Sequence, residues 1–161
     1  MLKHVVQASA INLEYAQKLT ADVAEDQMCV QPAPGVNHAA WVLGHLAFVF
    51  DSMIRVFDQK PAMPPEWIEL FNLASQPTSD AARYPSKAAL LETYQTTYRR
   101  LVEAVQAAPP EAFEREFPNP KLRSLFPTVG VAMVHILNSH HSLHLGQLSA
   151  WRRMQGLPHV L

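Results

Sequence analysis

Near its C-terminal end the sequence reads His140-His141-Ser142-Leu143-His144-Leu145-Gly146-Gln147. On a helix, residues i and i+4 share a face, so His140 and His144 can aim their imidazoles at one point. Neutral imidazole is the commonest protein ligand for zinc, nickel and related divalent ions. The chemistry on offer is therefore that of a metal ion, provided a third ligand comes from elsewhere. His45 is the candidate, with Trp41 and Phe48 at helical spacing on either side of it. Three protein ligands plus an open position is the pattern of a catalytic metal site. The same histidines could instead hydrogen-bond within a polar core, since buried ring nitrogens need partners in either case.

The elements that would carry these residues are marked out by proline. The chain has 13 prolines and only 5 glycines. The prolines gather at 32–34, 61–65, 77–85, 109–110 and 118–127, and such clusters mark connections. Four long proline-free stretches lie between them. The first covers residues 3–24. The second covers 37–57, with Asn37 as a plausible N-cap and Trp41, His45 and Phe48 at i, i+4 and i+7. The third opens at Ser86, a good N-cap, and carries Leu90, Tyr94, Tyr98, Leu101 and Val105. The fourth runs over residues 128–155, where Gly156 and Pro158 stop it. Each would span about 30 to 42 Å as a helix, the dimension of a four-helix bundle. No segment alternates with period two, so the class is all-α, one domain over residues 1–161. The long connection over 58–85, with a short helix at 66–74 opened by Pro64 and Pro65, leaves room for a crossover that sets the third helix parallel to the second.

Composition excludes several functions. The formal net charge is −1 and no basic stripe appears, so the footprint of a nucleic-acid binder is missing. The longest apolar run, 39–49, contains His45 and is soon followed by Asp51 and Arg55, which argues against a membrane span. The N-terminus has no export-signal pattern, and Cys29 is the single cysteine; both fit a reducing cytoplasm.

The remaining histidines have weaker claims. His38 shares a face with His45 but lies about 10 Å along the axis, too far to bind the same ion. His135 falls about 180° around the helix from His144 and is expected to face out or pack elsewhere. His141 points about 100° away from His140 and is expected to rim the pocket. His4 and His159 sit near the termini and carry no signal.

Two segments together, Trp41-Val42-Leu43-Gly44-His45-Leu46-Ala47 and the His140–Gln147 run continuing to Arg152, Arg153 and Gly156-Leu157-Pro158, resemble the DinB/YfiT-like superfamily, in particular its DinB_2 branch. The similarity spans almost the whole chain in helix order and length. It implies a four-helix bundle in up-down-down-up order, commonly dimeric, with His45, His140 and His144 binding zinc or nickel. Many members carry Glu directly after the first histidine of the last helix, where this chain has His141. A glutamate base is thus absent from that position, and His141 is the candidate to replace it. Gln147, three residues after His144, is the candidate to orient a ligand or bound water. Gly146 would suit a close approach between helices.

A dication held by neutral imidazoles keeps its charge and lowers the pKa of a bound water or thiol. Water would lead to hydrolysis, and a small-molecule thiol to S-transfer or isomerisation. Characterised relatives include thiol-dependent transferases and isomerases, so the resemblance favours the thiol. Arg115, Lys121 and Arg123, in the aromatic and proline-rich segment 113–127, could hold a carboxylate on the substrate or simply be solvated. A non-catalytic, metal-stabilised protein for stress-related binding is the reading from a different class.

Overall fold

The computed structural model describes residues 2–160. Helix α1 (Leu2–Ala21) leads through a loop to α2 (Ala39–Met53), which a 3₁₀ turn extends over Ile54–Phe57. The crossover holds the short α3 (Ile68–Phe71) and ends at α4 (Lys87–Ala107). The one-turn α5 (Glu111–Glu114) precedes the last long element. That element is composite: α6 (Val129–Val134), a π-helical turn (His135–His140), then α7 (His141–Met154). Among the described residues there is no strand, only an isolated bridge between Glu116 and Thr128.

Contacts between side chains fix the directions. Tyr84, just before α4, meets His38 at the start of α2, while Arg100 late in α4 reaches Asp51 late in α2. These two helices therefore run parallel. Asn138 meets Val5, Ser142 meets Asn12, and Arg152 meets Leu19 and Asp22, so the last element runs parallel to α1. Ser9 on α1 bonds Tyr98 late in α4, whereas Lys87 at the start of α4 bonds Val23 just past α1. The pairs are thus mutually antiparallel, which is the up-down-down-up four-helix bundle.

Local chemistry explains the boundaries. Ser86 and Thr128 cap α4 and α6 by accepting from the backbone N–H groups of Ala89 and Val131. Gly156 closes α7 with φ of 72°, a conformation glycine adopts freely. At α2 the cap differs from expectation. His38, not Asn37, is the N-cap, its Nδ1 accepting from Trp41 N at 3.2 Å while Nε2–H donates to Thr78 O at 2.9 Å.

Twelve residues of α2 are buried, because neighbours cover it on nearly all sides. The stretch Ala39–Phe57 is long and apolar enough to cross a membrane by length and composition, yet here most of it forms the bundle core. Buried Asp51 accepts from the backbone N–H groups of Ala62 and Met63, pinning the crossover to α2. Trp151, wholly buried, donates to Val30 O and fastens the α1–α2 loop to α7. Cys29 lies in that loop and is buried; desolvation, with Glu25 and Asp80 nearby, pushes its thiol up to about 11.

Candidate metal centre

His45 projects from the middle of α2, His140 from the end of the π turn and His144 from the first turn of α7. Their Nε2 atoms converge. His140 Nε2 lies 3.2 Å from His144 Nε2 and 3.4 Å from His45 Nε2. Ligand atoms of all three fall within 4.8 Å of one another, and no other such group of His, Cys, Asp or Glu occurs among the described residues.

Two of the rings are oriented from outside. His45 Nδ1–H donates to Phe71 O at 2.8 Å, and His144 Nδ1–H donates to Gln147 Oε1 at 2.9 Å. Each bond places the proton on Nδ1 and leaves the Nε2 lone pair facing the centre. Proton bookkeeping then tests whether a cation fits. His140 can supply one Nε2 proton to one neighbour, which leaves the other lone pair unpaired. With its proton on Nδ1 it supplies none, and that buried Nδ1 has no partner. Three convergent lone pairs with too few protons to share are what a cation satisfies at once.

Protonation is a poor substitute. Burial lowers all three pKa values, that of His140 to about 3 and that of His144 to about 4. Mutual repulsion among the rings adds to the effect on His140 and His144, and no carboxylate is among the groups that shift the three. The neutral, ligating form therefore persists well below neutral pH.

The outer wall contains residues whose contacts with the centre spacing alone did not reveal. Trp41 stacks on His45, centroids 4.6 Å apart and planes within 7°, and donates from Nε1 to Ser75 Oγ. Asn37 donates to the same Gln147 oxygen at 3.0 Å, extending a chain from the loop before α2 through Gln147 to His144. Gly44 is where close packing occurs, because a Cβ there would collide with the Phe71 ring. Gly146, expected in that role, is exposed with open space around it.

His141 departs from the pocket-rim expectation. It is wholly buried between α2 and α4, with Nε2 2.5 Å from Tyr94 Oη and its ring against Phe50. One residue beyond His140 means a rotation of about 100°, and that rotation carries it into the core instead of toward solvent. Its Nδ1 makes no well-formed hydrogen bond; the Leu137 carbonyl only partly opposes the burial that lowers its pKa to about 4.

His135 departs in the opposite sense. The π turn replaces i→i+4 bonding with i→i+5 and brings residues five apart toward one face. The His135 ring consequently lies 5.9 Å from that of His140 and 5.1 Å from Phe126. Counting at 100° per residue across this turn misplaces it, and nothing in the sequence marks the irregularity.

An all-helical up-down-down-up bundle with three histidines converging from its second and fourth long elements defines the class, and comparisons agree. The family model of the DinB superfamily (DinB_2) matches residues 11–148, so the chain belongs to the DinB superfamily. Among solved structures it is similar to YfiT from Bacillus subtilis, described as a probable metal-dependent hydrolase with an unusual four-helix bundle topology. Identity is 17%, the match covers 97% of this chain and 88% of that one, and the TM-score is 0.68. At that identity the likeness shows a shared fold. A comparison with curated proteins found no match.

Proposed function

We propose that this chain is a divalent-metal-dependent enzyme that activates a small-molecule thiol for S-transfer or isomerisation, with His45, His140 and His144 as ligands. The observation that carries the reading is the convergence of three Nε2 lone pairs, two of them fixed by Phe71 O and Gln147 Oε1. When bound, a zinc or nickel ion supplies Lewis-acidic charge that favours the anionic form of a water or thiol beside it. The chain's own residues hold and orient the ligand rings, and Trp41 shields one face of His45 from solvent. Gln147 acts through His144 as a positioning residue.

The position directly after His140, where many members carry Glu, holds His141, buried against Tyr94. With no carboxylate base at that place, a thiol, whose anion forms readily, is favoured over water, which calls for a base. Hydrolysis is the second reading. It is supported by the description of the Bacillus subtilis structure and by His135, which stands near His140 where a base would be useful. We further read the protein as a cytoplasmic homodimer.

The test is metal analysis of protein purified without an affinity tag, alongside His45→Ala and His144→Ala. About one zinc or nickel per chain is expected, with loss in both variants. Stoichiometric metal in both would remove the site. A panel of low-molecular-weight thiols with an electrophilic acceptor, run beside ester and amide substrates, separates the two chemistries.

A further inference from the structure

Beside the histidine cluster lies a cavity of about 330 Å³. Phe48 and Met53 of α2, Phe117, Leu122 and Phe126 of the loop before α6, and Ile136 of the π turn form its walls. Its polar lining comes from Ser52, His135 and His140, the last being a proposed ligand. No carboxylate, ammonium or guanidinium reaches it. The cations in this loop are turned elsewhere: Arg115 bonds Val56 O, and Arg123 bonds Phe117 O and pairs with Glu116. Lys121 is likewise not among the lining residues.

We infer that this cavity receives an uncharged apolar arm of the substrate, aromatic or branched aliphatic, while the reacting atom lies at the histidine centre. Three observations carry it. His140 belongs to both the centre and the cavity wall, so a molecule seated in one reaches the other. A cavity of about 150 Å³ accepts benzene, so 330 Å³ accepts about ten to twelve non-hydrogen atoms. Leu73 and Leu125 line the mouth while 75% and 61% exposed, and an apolar occupant would cover surface that water now meets. A carboxylate in the cavity would lose its hydration with no cation in return. The carboxylate-holding role open to Arg115, Lys121 and Arg123 from sequence is therefore set aside.

The assignment of the occupant as substrate rests on the metal-centre reading, and the experiment keeps the two apart. Indole, a neutral probe with no chelating group, is titrated into metal-stripped full-length protein and followed by the methyl signals of Leu73 and Leu125. Saturable shifts are expected, with binding at least about tenfold weaker in Ser52→Trp, which fills the cavity. The same loss is expected in Leu125→Asp, which charges the exposed mouth without touching the core. Indole-3-carboxylate should bind at least about tenfold more weakly than indole. Absence of saturable shifts, or equal binding of the carboxylate, overturns the apolar cavity whatever the metal content. On metal-loaded protein, benzohydroxamate should bind at least about tenfold tighter than acetohydroxamate; equal affinities overturn the link between cavity and centre. Protein that binds indole but no metal would sink the metal reading alone.

Discussion

The ring of Phe71 occupies the space that a side chain on Gly44 would fill. The same Phe71 turns its carbonyl to His45 Nδ1 at 2.8 Å. Glycine therefore precedes the α2 histidine for a reason of contact: it lets the crossover come close enough to orient the imidazole. Phe71 is fully buried, with Trp67 and Tyr84 against it, so its ring has little room to yield.

Gly44→Ala should accordingly lower stability by about 1 to 3 kcal/mol and weaken metal binding by about tenfold. Urea unfolding and competition against a chelator measure the two effects separately. Unchanged values for both would show that Phe71 does not hold His45.

Gln147→Leu removes the acceptor for His144 Nδ1–H and should weaken metal binding by about 10- to 100-fold. Asn37→Ala, one bond further out, should have a smaller effect in the same direction. Competition titrations rank the two; a larger loss for Asn37→Ala than for Gln147→Leu would contradict the order of the chain.

Tyr94→Phe leaves the His141 ring nitrogen buried without its hydroxyl partner and should cost about 1 to 3 kcal/mol of stability. Metal stoichiometry should stay at the wild-type level, since His141 faces away from the three Nε2 atoms. Loss of metal together with retained stability would place His141 in the centre after all.

The metal-free protein should lose stability on mild acidification. Burial holds the pKa of His38 down at about 4, against bonding to the backbone of Thr78 and Met28. The ordinary value is about 6.5, so between pH 6.5 and 4 the unfolded chain binds more protons than the folded one. The stabilising contribution is complete above pH 6.5 and shrinks as pH falls toward 4. It amounts to at most about 3 kcal/mol for this group. His38→Asn, which retains a capping oxygen, should flatten that part of the profile. Unfolding midpoints measured across the window give the slope, and identical slopes for both proteins would remove His38 as a cause.

Much of this was legible because proline punctuates the chain and the helical faces are regular. The four long elements, the Ser86 and Thr128 starts and the Gly156 stop all follow from local chemistry. So does the sharing of a face by His140 and His144. Three things were not legible, each for a physical reason. The π turn has no sequence signature, so His135 could not be placed beside His140. The N-cap of α2 passed to His38 because Thr78, forty residues away, supplies a partner for its second nitrogen. The roles of Asn37 and Phe71 depend on contacts across the bundle, which periodicity does not reveal. The same limit applied to His141: its rotation from His140 was countable, but whether that direction met solvent or Tyr94 was not.

Cys29 bears on how the proposed thiol chemistry can be assayed. A concealed sulfur that stays protonated to about pH 11 is a poor nucleophile. The folded chain should thus stand in millimolar alkylating agent, or among exchanging disulfides, without acquiring an adduct. Any thioether formed in such a mixture can then be ascribed to the small molecules present, and intact mass of the protein provides the control.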